Sequence, residues 1–267
     1  MDRPYAKKPF AKKSFGQNFL VDETYIRKII DALNLKSDET IVEIGAGRGA
    51  LTEILLEKAG KVIAIELDRD LIPALREKFG KKENFRLVEQ DALKIDFAEI
   101  LQNPRSAKLV ANLPYNISTA ILQRLMEQRE VFSELILMFQ REVVQRITAT
   151  VGHKERGFLT VLTEAYFSSE KLFDVPGRAF RPVPKVMSSV ARFTPKPSLD
   201  VDGKLLRKVV SIGFAQKRKT ILNNLKSTFP NAVTVLDTCG IDPGQRAESL
   251  SLESWICLTK SLAASSF

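Results

Sequence analysis

The chain has 267 residues, 44% of them hydrophobic and 27% charged, with a net charge of +9. That length holds one large domain, or one domain and a smaller lobe, and no apolar run reaches the roughly 18 residues of a membrane span. His153 is the single histidine, which argues against a Ser-His-Asp triad and excludes a His-rich metal site.

Residues 1–18 carry five Lys/Arg (Lys7, Lys8, Lys12 and Lys13 among them) against Asp2, and read as a basic arm. The segment lacks the apolar region of a secretory signal; its basic bias is compatible with a mitochondrial presequence, against which stand its single serine and the lack of a clear amphipathic pattern. The expected compartment is the cytoplasm. Cys239 and Cys257 are accordingly expected to be reduced core residues.

A helix is expected over 22–34, with Asp22 as N-cap and Ile26, Ile29, Ile30 and Leu33 on one face. Short apolar strands then alternate with helices. Strands are expected at 40–44, 62–65, 85–88, 109–111 and 135–139, with helices at 49–58, 70–79, 120–127 and from Glu142 onward. This alternation implies a mostly parallel sheet covered on both faces, a Rossmann-like α/β body that binds ligands at the carboxyl ends of its strands. Three prolines (Pro176, Pro182, Pro184) break the pattern before an alternating strand at 188–193. Beyond 198 the pattern is helical only, at 204–214, 218–227, 233–238 and 252–262. The expected organisation is an arm at 1–18, a cofactor-binding catalytic domain at 19–197 and a helical lobe at 198–267.

Charge is unevenly spread. Residues 19–177 hold 22 basic and 25 acidic residues, whereas 178–226 hold 12 basic and two acidic. Such clustering fits either a solvated basic face or contact with a polyanion, nucleic acid or an anionic membrane surface.

The strand ends carry the chemistry. Glu43-Ile-Gly-Ala-Gly-Arg-Gly49 follows the first strand of the alternation and opens a helix, so Gly45 and Gly47 permit a tight turn and close backbone approach to a ligand. Alone, this loop is shared by dinucleotide sites, S-adenosylmethionine sites and plain structural turns. Glu66 ends the next strand, where a carboxylate can accept from both hydroxyls of a ribose or serve simply as a helix cap, a role for which Asp68 and Asp70 compete. Asp91 ends the third and could accept an adenine amine. The coincidence favours an adenosyl cofactor.

Asn112-Leu-Pro-Tyr115 ends the fourth of these strands. An aromatic amine is a poor nucleophile because its lone pair is delocalised into the ring. The Asn112 side-chain oxygen and the Leu113 carbonyl could hold its two hydrogens and favour a pyramidal nitrogen. Pro114 would fix that carbonyl, and Tyr115 offers a face for base stacking. In-line attack on a sulfonium methyl then needs mainly positioning, with no metal.

Five blocks in order resemble the ribosomal RNA adenine dimethyltransferase family of the kasugamycin-sensitivity type. They are Phe15-Gly-Gln-Asn-Phe-Leu20, residues 43–52, Asn112-Leu-Pro-Tyr-Asn-Ile-Ser118, Phe180-Arg-Pro-Val-Pro-Lys-Val186 and Phe214-Ala-Gln-Lys-Arg-Lys-Thr220. The resemblance implies a class I S-adenosylmethionine-dependent fold with a helical C-terminal lobe. It also implies dimethylation at N6 of two adjacent adenosines near the 3′ end of small-subunit ribosomal RNA. Carried over by position, Asn18, Leu20, Gly45, Gly47, Glu66, Asp91 and Asn112 would line the cofactor site. Asn112, Leu113 and Tyr115 would grip the base. Phe180, read alone as a core residue, becomes a candidate for stacking on the base's other face. Ala46 stands where the family usually has proline, which removes no chemical group. After one methyl the amine keeps one hydrogen, so the Leu113-Pro114-Tyr115 wall must also tolerate a methyl.

Arg178, Arg181 and Lys185 flank Phe180, and Arg207, Lys208, Lys217, Arg218 and Lys219 fall in the helical lobe, the last three at an expected helix start. All are candidate phosphate contacts. The implied partner is small-subunit ribosomal RNA within a pre-assembled subunit, with neither membrane nor metal and a monomer as the default. Competing readings are a large-subunit adenine methyltransferase of the antibiotic-resistance type and a non-catalytic assembly factor. A nicotinamide-dependent oxidoreductase shares the glycine loop but gives no reason for Asn112–Tyr115.

Overall fold

Each apolar run expected to be a strand is one, and the intervening segments are helices that cover the sheet. The computed structural model describes residue 12 and residues 16–101 and 107–264. Its strands are β1 (Phe19–Leu20), β2 (Thr40–Ile44), β3 (Lys61–Ile65), β4 (Phe85–Val88), β5 (Ala107–Asn112), β6 (Phe132–Gln140), β7 (Phe167–Val175), β8 (Phe180–Arg181) and β9 (Ser188–Pro195). The helices are α1 (Glu23–Ala32), α2 (Ala50–Lys58), α3 (Ile72–Phe79), α4 (Phe97–Ile100), α5 (Ser118–Glu127), α6 (Arg141–Ile147), α7 (Phe158–Tyr166), α8 (Gly203–Gly213), α9 (Ile221–Leu225), α10 (Ala232–Thr238) and α11 (Leu252–Ala264). Lys7, Lys8, Lys13 and Phe15 lie outside the described residues.

Seven strands form one sheet in the order β4-β3-β2-β5-β6-β9-β7. Strands β2 to β6 run parallel, and β9 returns antiparallel beside β6. Ile41, Val42, Val62, Leu109, Val110 and Leu135 are wholly buried, the continuous apolar pattern of strands covered on both faces. A separate ribbon pairs β1 with β8, Leu20 opposite Phe180. Helix α1 starts as expected: the Asp22 side chain accepts from the Thr24 N–H, and Ile26, Ile29 and Ile30 are buried.

The chain divides into two units, residues 1–141 with 170–195 and residues 142–169 with 196–267. The expected break at 197/198 falls close to the crossing at 195/196. Residues 142–169, expected in the catalytic body, cluster with the C-terminal unit. The reason is apolar: Val161 and Ala165 of α7 share one core with Leu206, Val209, Leu236 and Trp255. In that unit Trp255 stacks on Phe214 with ring centroids 5.5 Å apart. Arg156 is buried there, its guanidinium 2.7 Å from Glu164 and donating to the Leu250 carbonyl at 3.3 Å, which makes it a structural clamp. His153 lies on an exposed turn.

Two expectations are corrected in this unit. Cys239 and Cys257 are joined in a disulfide rather than reduced, because the cap of α10 and the middle of α11 come together with Cα atoms 5.8 Å apart. Lys217, Arg218 and Lys219 do not start a helix. They form an exposed turn ahead of Thr220, whose side chain caps α9 by accepting from the Asn223 N–H.

Gly213 closes α8 against the indole: a Cβ there would lie 2.4 Å from Trp255. Gly213→Ala should therefore destabilise the protein by about 1–3 kcal/mol in denaturant unfolding, and an unchanged midpoint would show that the indole can move aside.

Candidate active site

Strands β2 and β5 are neighbours, yet the chain leaves β2 towards β3 on one side and β5 towards β6 on the other. Their carboxyl ends therefore open a crevice. It holds a cavity of about 310 Å³, lined by residues from the first unit.

The glycine loop forms one wall. Gly45, Gly47 and Gly49 have φ of 76°, 59° and 78°, values that disfavour a side chain. A Cβ on Gly47 would crowd Phe19 at 3.3 Å, and one on Gly49 would strike Phe79 at 2.4 Å. At Gly45 the nearest atom to a Cβ would be the Asn112 carbonyl oxygen, 4.0 Å away, so backbone faces open cavity there.

Glu66 stands opposite. One carboxylate oxygen accepts from the Gly47 N–H at 2.8 Å, and the other from the N–H groups of Leu67 and Asp68, both at 2.9 Å. The carboxylate is thus fixed at the strand end and does not cap α3, whose N-cap is Leu71 without a side-chain bond. Asp91 lines the cavity and closes its own turn by accepting from the Leu93 N–H at 3.0 Å. A fixed carboxylate, a bare backbone loop and a turn aspartate around one cavity fit an adenosyl group.

The Asn112 amide nitrogen donates to the Asn18 carbonyl at 3.1 Å, which leaves the amide oxygen as the cavity-side acceptor. Leu113 and Tyr115 also line the cavity. The Tyr115 hydroxyl lies 2.7 Å from the hydroxyl of Ser188, a wholly buried residue of β9, which holds the ring from behind. Burial pushes the Tyr115 phenol up from its ordinary value, with the Ser188 bond opposing.

Two expected site residues are not brought to the cavity. Leu20 and Phe180 pair across β1 and β8, and both sink into the core with Ile26, Ile29 and Ile30. Phe180 is wholly buried, and it is Phe19 that reaches the cavity. The alternation across a strand, which sends neighbouring side chains to opposite faces, accounts for the exchange of Phe19 for Leu20. Arg178, Arg181 and Lys185 are exposed in the first unit; in the second, Lys208, Lys217, Arg218 and Lys219 are exposed and Arg207 is half-buried.

Several contributors had no signal in the sequence. Leu67, 47% exposed, lines the cavity between Glu66 and Asp68. Asp68 is bonded by the Lys12 ammonium at 2.6 Å and the Gln17 amide at 2.8 Å, and Lys12 also reaches Asp70 at 2.7 Å. Burial alone would raise the Asp68 carboxyl, but those bonds outweigh it and hold it low. Ser188 and Lys12 could be found only from the three-dimensional pairing of distant segments.

The chain matches the family model described as ribosomal RNA adenine dimethylase over residues 10–264. A Hahella chejuensis protein named ribosomal RNA small subunit methyltransferase A is 44% identical over 249 residues, covering 92% of this chain and 90% of that protein. A Geobacter sulfurreducens protein of the same name is 43% identical over 264 residues, covering 95% and 96%. Among solved structures, a dimethyladenosine transferase from Plasmodium falciparum superposes with a TM-score of 0.80 at 27% identity, covering 93% of this chain and 98% of that one. The 23S rRNA methyltransferase ErmE superposes with a TM-score of 0.70 at 28% identity, covering 92% and 100%.

Beneath the glycine loop Glu43 is buried, accepting from the Thr52 hydroxyl at 2.6 Å. Burial raises its carboxyl from 4.5 to about 7; the Thr52 bond opposes and neighbouring Glu66 adds to the rise. The folded state therefore holds a proton that the unfolded chain releases, and the associated stability is full below 4.5 and lost as pH rises through about 7. Denaturant unfolding across that window should show the wild type losing on the order of a few kcal/mol relative to Glu43→Gln. Parallel pH profiles would mean that Glu43 does not carry the proton.

Proposed function

This chain belongs to the ribosomal RNA adenine dimethylase family, and we propose that its cavity performs dimethylation of small-subunit ribosomal RNA, moving methyl groups from S-adenosylmethionine to N6 of adenosines. The bound cofactor supplies an electrophilic methyl on a sulfonium whose departure leaves a neutral thioether. Glu66 and Asp91 would hold its adenosine, and the backbone at Gly45 and Gly47 would lie against it.

The observation that carries this reading is the bond from the Asn112 amide to the Asn18 carbonyl. It fixes the amide so that its oxygen accepts a hydrogen of the target amine. The Leu113 carbonyl takes the other, and Tyr115, braced by Ser188, stacks on the ring. These residues orient the nitrogen lone pair toward the methyl, and the proton that each transfer leaves on N6 passes to solvent water once the C–N bond has formed. Among the described residues, no cluster of His, Cys, Asp or Glu is arranged to hold a metal.

The substrate is RNA presented within a pre-assembled small subunit, met by the enzyme as a monomer in the cytoplasm. Arg178, Arg181 and Lys185 beside the cavity-bearing unit's β8, and Arg207, Lys208, Lys217, Arg218 and Lys219 in the C-terminal unit, take phosphates. Residues 198–267 serve as the RNA-binding lobe. Among the described residues no helix is long and apolar enough to cross a membrane.

Labelled S-adenosylmethionine, incubated separately with small and large subunits lacking adenine methylation, tests the reading. Dimethyladenosine should appear in the small subunit only, and Asn112→Ala should cut the rate by roughly 100-fold. Label confined to the large subunit would reassign the substrate. Calorimetry should show Glu66→Ala weakening cofactor binding by about 10- to 100-fold; unchanged affinity would remove Glu66 from the site.

A further inference from the structure

The loop 182–187 connects β8, a strand of the two-stranded ribbon, to β9, an interior strand of the seven-stranded sheet. At its start Arg181 pairs with Phe19, a cavity-lining residue. At its end Ser188 bonds the hydroxyl of Tyr115, another lining residue. Both ends of the loop are thereby tied to the cavity.

The loop is stiff. Pro182 and Pro184 fix two of its backbone positions. The turn at Gly177 packs so closely that a Cβ there would sit 2.9 Å from the Pro184 carbonyl. The Met187 carbonyl accepts from the Arg141 N–H at 2.9 Å. On this rigid frame the apolar side chains point outward: Val183 is 59% exposed, Val186 44% and Met187 36%. Three of the seven exposed large apolar side chains among the described residues thus fall within six positions. They are interleaved with the exposed cations Arg178, Arg181 and Lys185, and no acidic residue occurs between Asp174 and Asp200.

We infer that loop 182–187 is an apolar wedge that enters the base stack of the RNA where the target adenine leaves it. An adenine must come out of its stack to reach a cavity at strand ends, and the gap it leaves exposes apolar base faces to water. Valine tips fill such a gap at low entropic cost, because β-branched side chains have few rotamers to lose. The interleaved cations meet the flanking phosphates, and the absence of carboxylates removes repulsion. The inference rests on the reading that the adenine enters beside Tyr115.

The test uses the full chain and small subunits lacking adenine methylation, some reconstituted with 2-aminopurine at the target position, whose fluorescence rises on unstacking. Val183→Ser with Val186→Ser should lower kcat at least about tenfold and abolish most of the fluorescence rise, with melting temperature and calorimetric cofactor affinity unchanged. Val183→Ile, which keeps an apolar β-branched tip, should recover most of the activity lost in Val183→Ser. A double serine variant with wild-type kcat and fluorescence, beside an inactive Tyr115→Ala control, overturns the wedge and leaves the adenine site standing. If Tyr115→Ala is also fully active, the placement of the adenine fails and the wedge with it. A loss confined to KM for the subunit would make the loop a plain docking surface, and this too overturns the wedge.

Discussion

Strands β2 and β5 lie in register from Ile41 beside Lys108 to Ile44 beside Ala111, and the chain departs from them in opposite directions. Everything functional in the first unit depends on that divergence. It is where no crossover covers the strand ends, so the backbone at Gly45 and at Asn112–Leu113 is left to face a ligand. The segment 16–19 forms one wall of the opening. It is held by the Asn18–Asn112 bond, by the pairing of β1 with β8, and by Gly16, where a Cβ would lie 2.9 Å from the Asn116 side chain. Lys12 and Gln17 fasten that wall by bonding Asp68. Asp68 neighbours the carboxylate proposed to hold the cofactor, so the N-terminal segment and the cofactor wall are one mechanical unit.

The charge pattern follows the same division. Glu66, Asp68 and Asp91 line the cavity, Asp68 paired with the Lys12 ammonium, while Glu43 behind it is buried with its carboxyl raised toward the protonated form. An anionic interior suits a ligand bearing a sulfonium and an ammonium, whereas the exposed cations at 178–185 and 207–219 suit a polyanion. A net charge of +9 conceals this separation. Had the basic residues lined the cavity, they would have repelled the cofactor; had the acidic ones covered the surface, they would have repelled the RNA.

What could be read from sequence was whatever a local pattern encodes. The strands from 40 to 139 are short apolar runs, and the residues at their ends (Gly45, Glu66, Asp91 and Asn112) stand at the cavity because strand order alone puts them there. Strand β7, Phe-Ser-Ser-Glu-Lys-Leu-Phe-Asp-Val, was not legible. It lies at the edge of the sheet and carries a polar sequence that local patterning does not distinguish from a loop. Leu20 and Phe180 were misplaced because resemblance transfers a position along the chain but not the face on which its side chain emerges. The Cys239–Cys257 link depends on how α10 and α11 pack, and a separation of 18 residues carries no trace of that. The bonds from Lys12 and Gln17 to Asp68, and from Tyr115 to Ser188, span 51 to 73 residues and arise only once the fold has brought their partners together.

On the proposed chemistry, two methylations at one nitrogen place opposite demands on a single pocket. Before the first transfer the amine offers two hydrogens, and both acceptors are satisfied. Before the second it offers one, so one acceptor loses its partner and a methyl needs room. The Asn112 amide is tied to Asn18, and the Leu113 carbonyl is set by the Pro114 ring, so neither acceptor can withdraw. An unpaired acceptor in a closed site would cost about 1–3 kcal/mol, but at an open crevice water can replace the lost hydrogen. The apolar side chains of Leu113 and Pro114 accept a methyl without losing any hydrogen bond of their own. Tyr115, with its hydroxyl held away from the amine by Ser188, offers the ring face without competing for the remaining hydrogen. A rigid pair of acceptors beside an apolar wall therefore serves both steps, where a fully enclosed polar pocket would serve only the first.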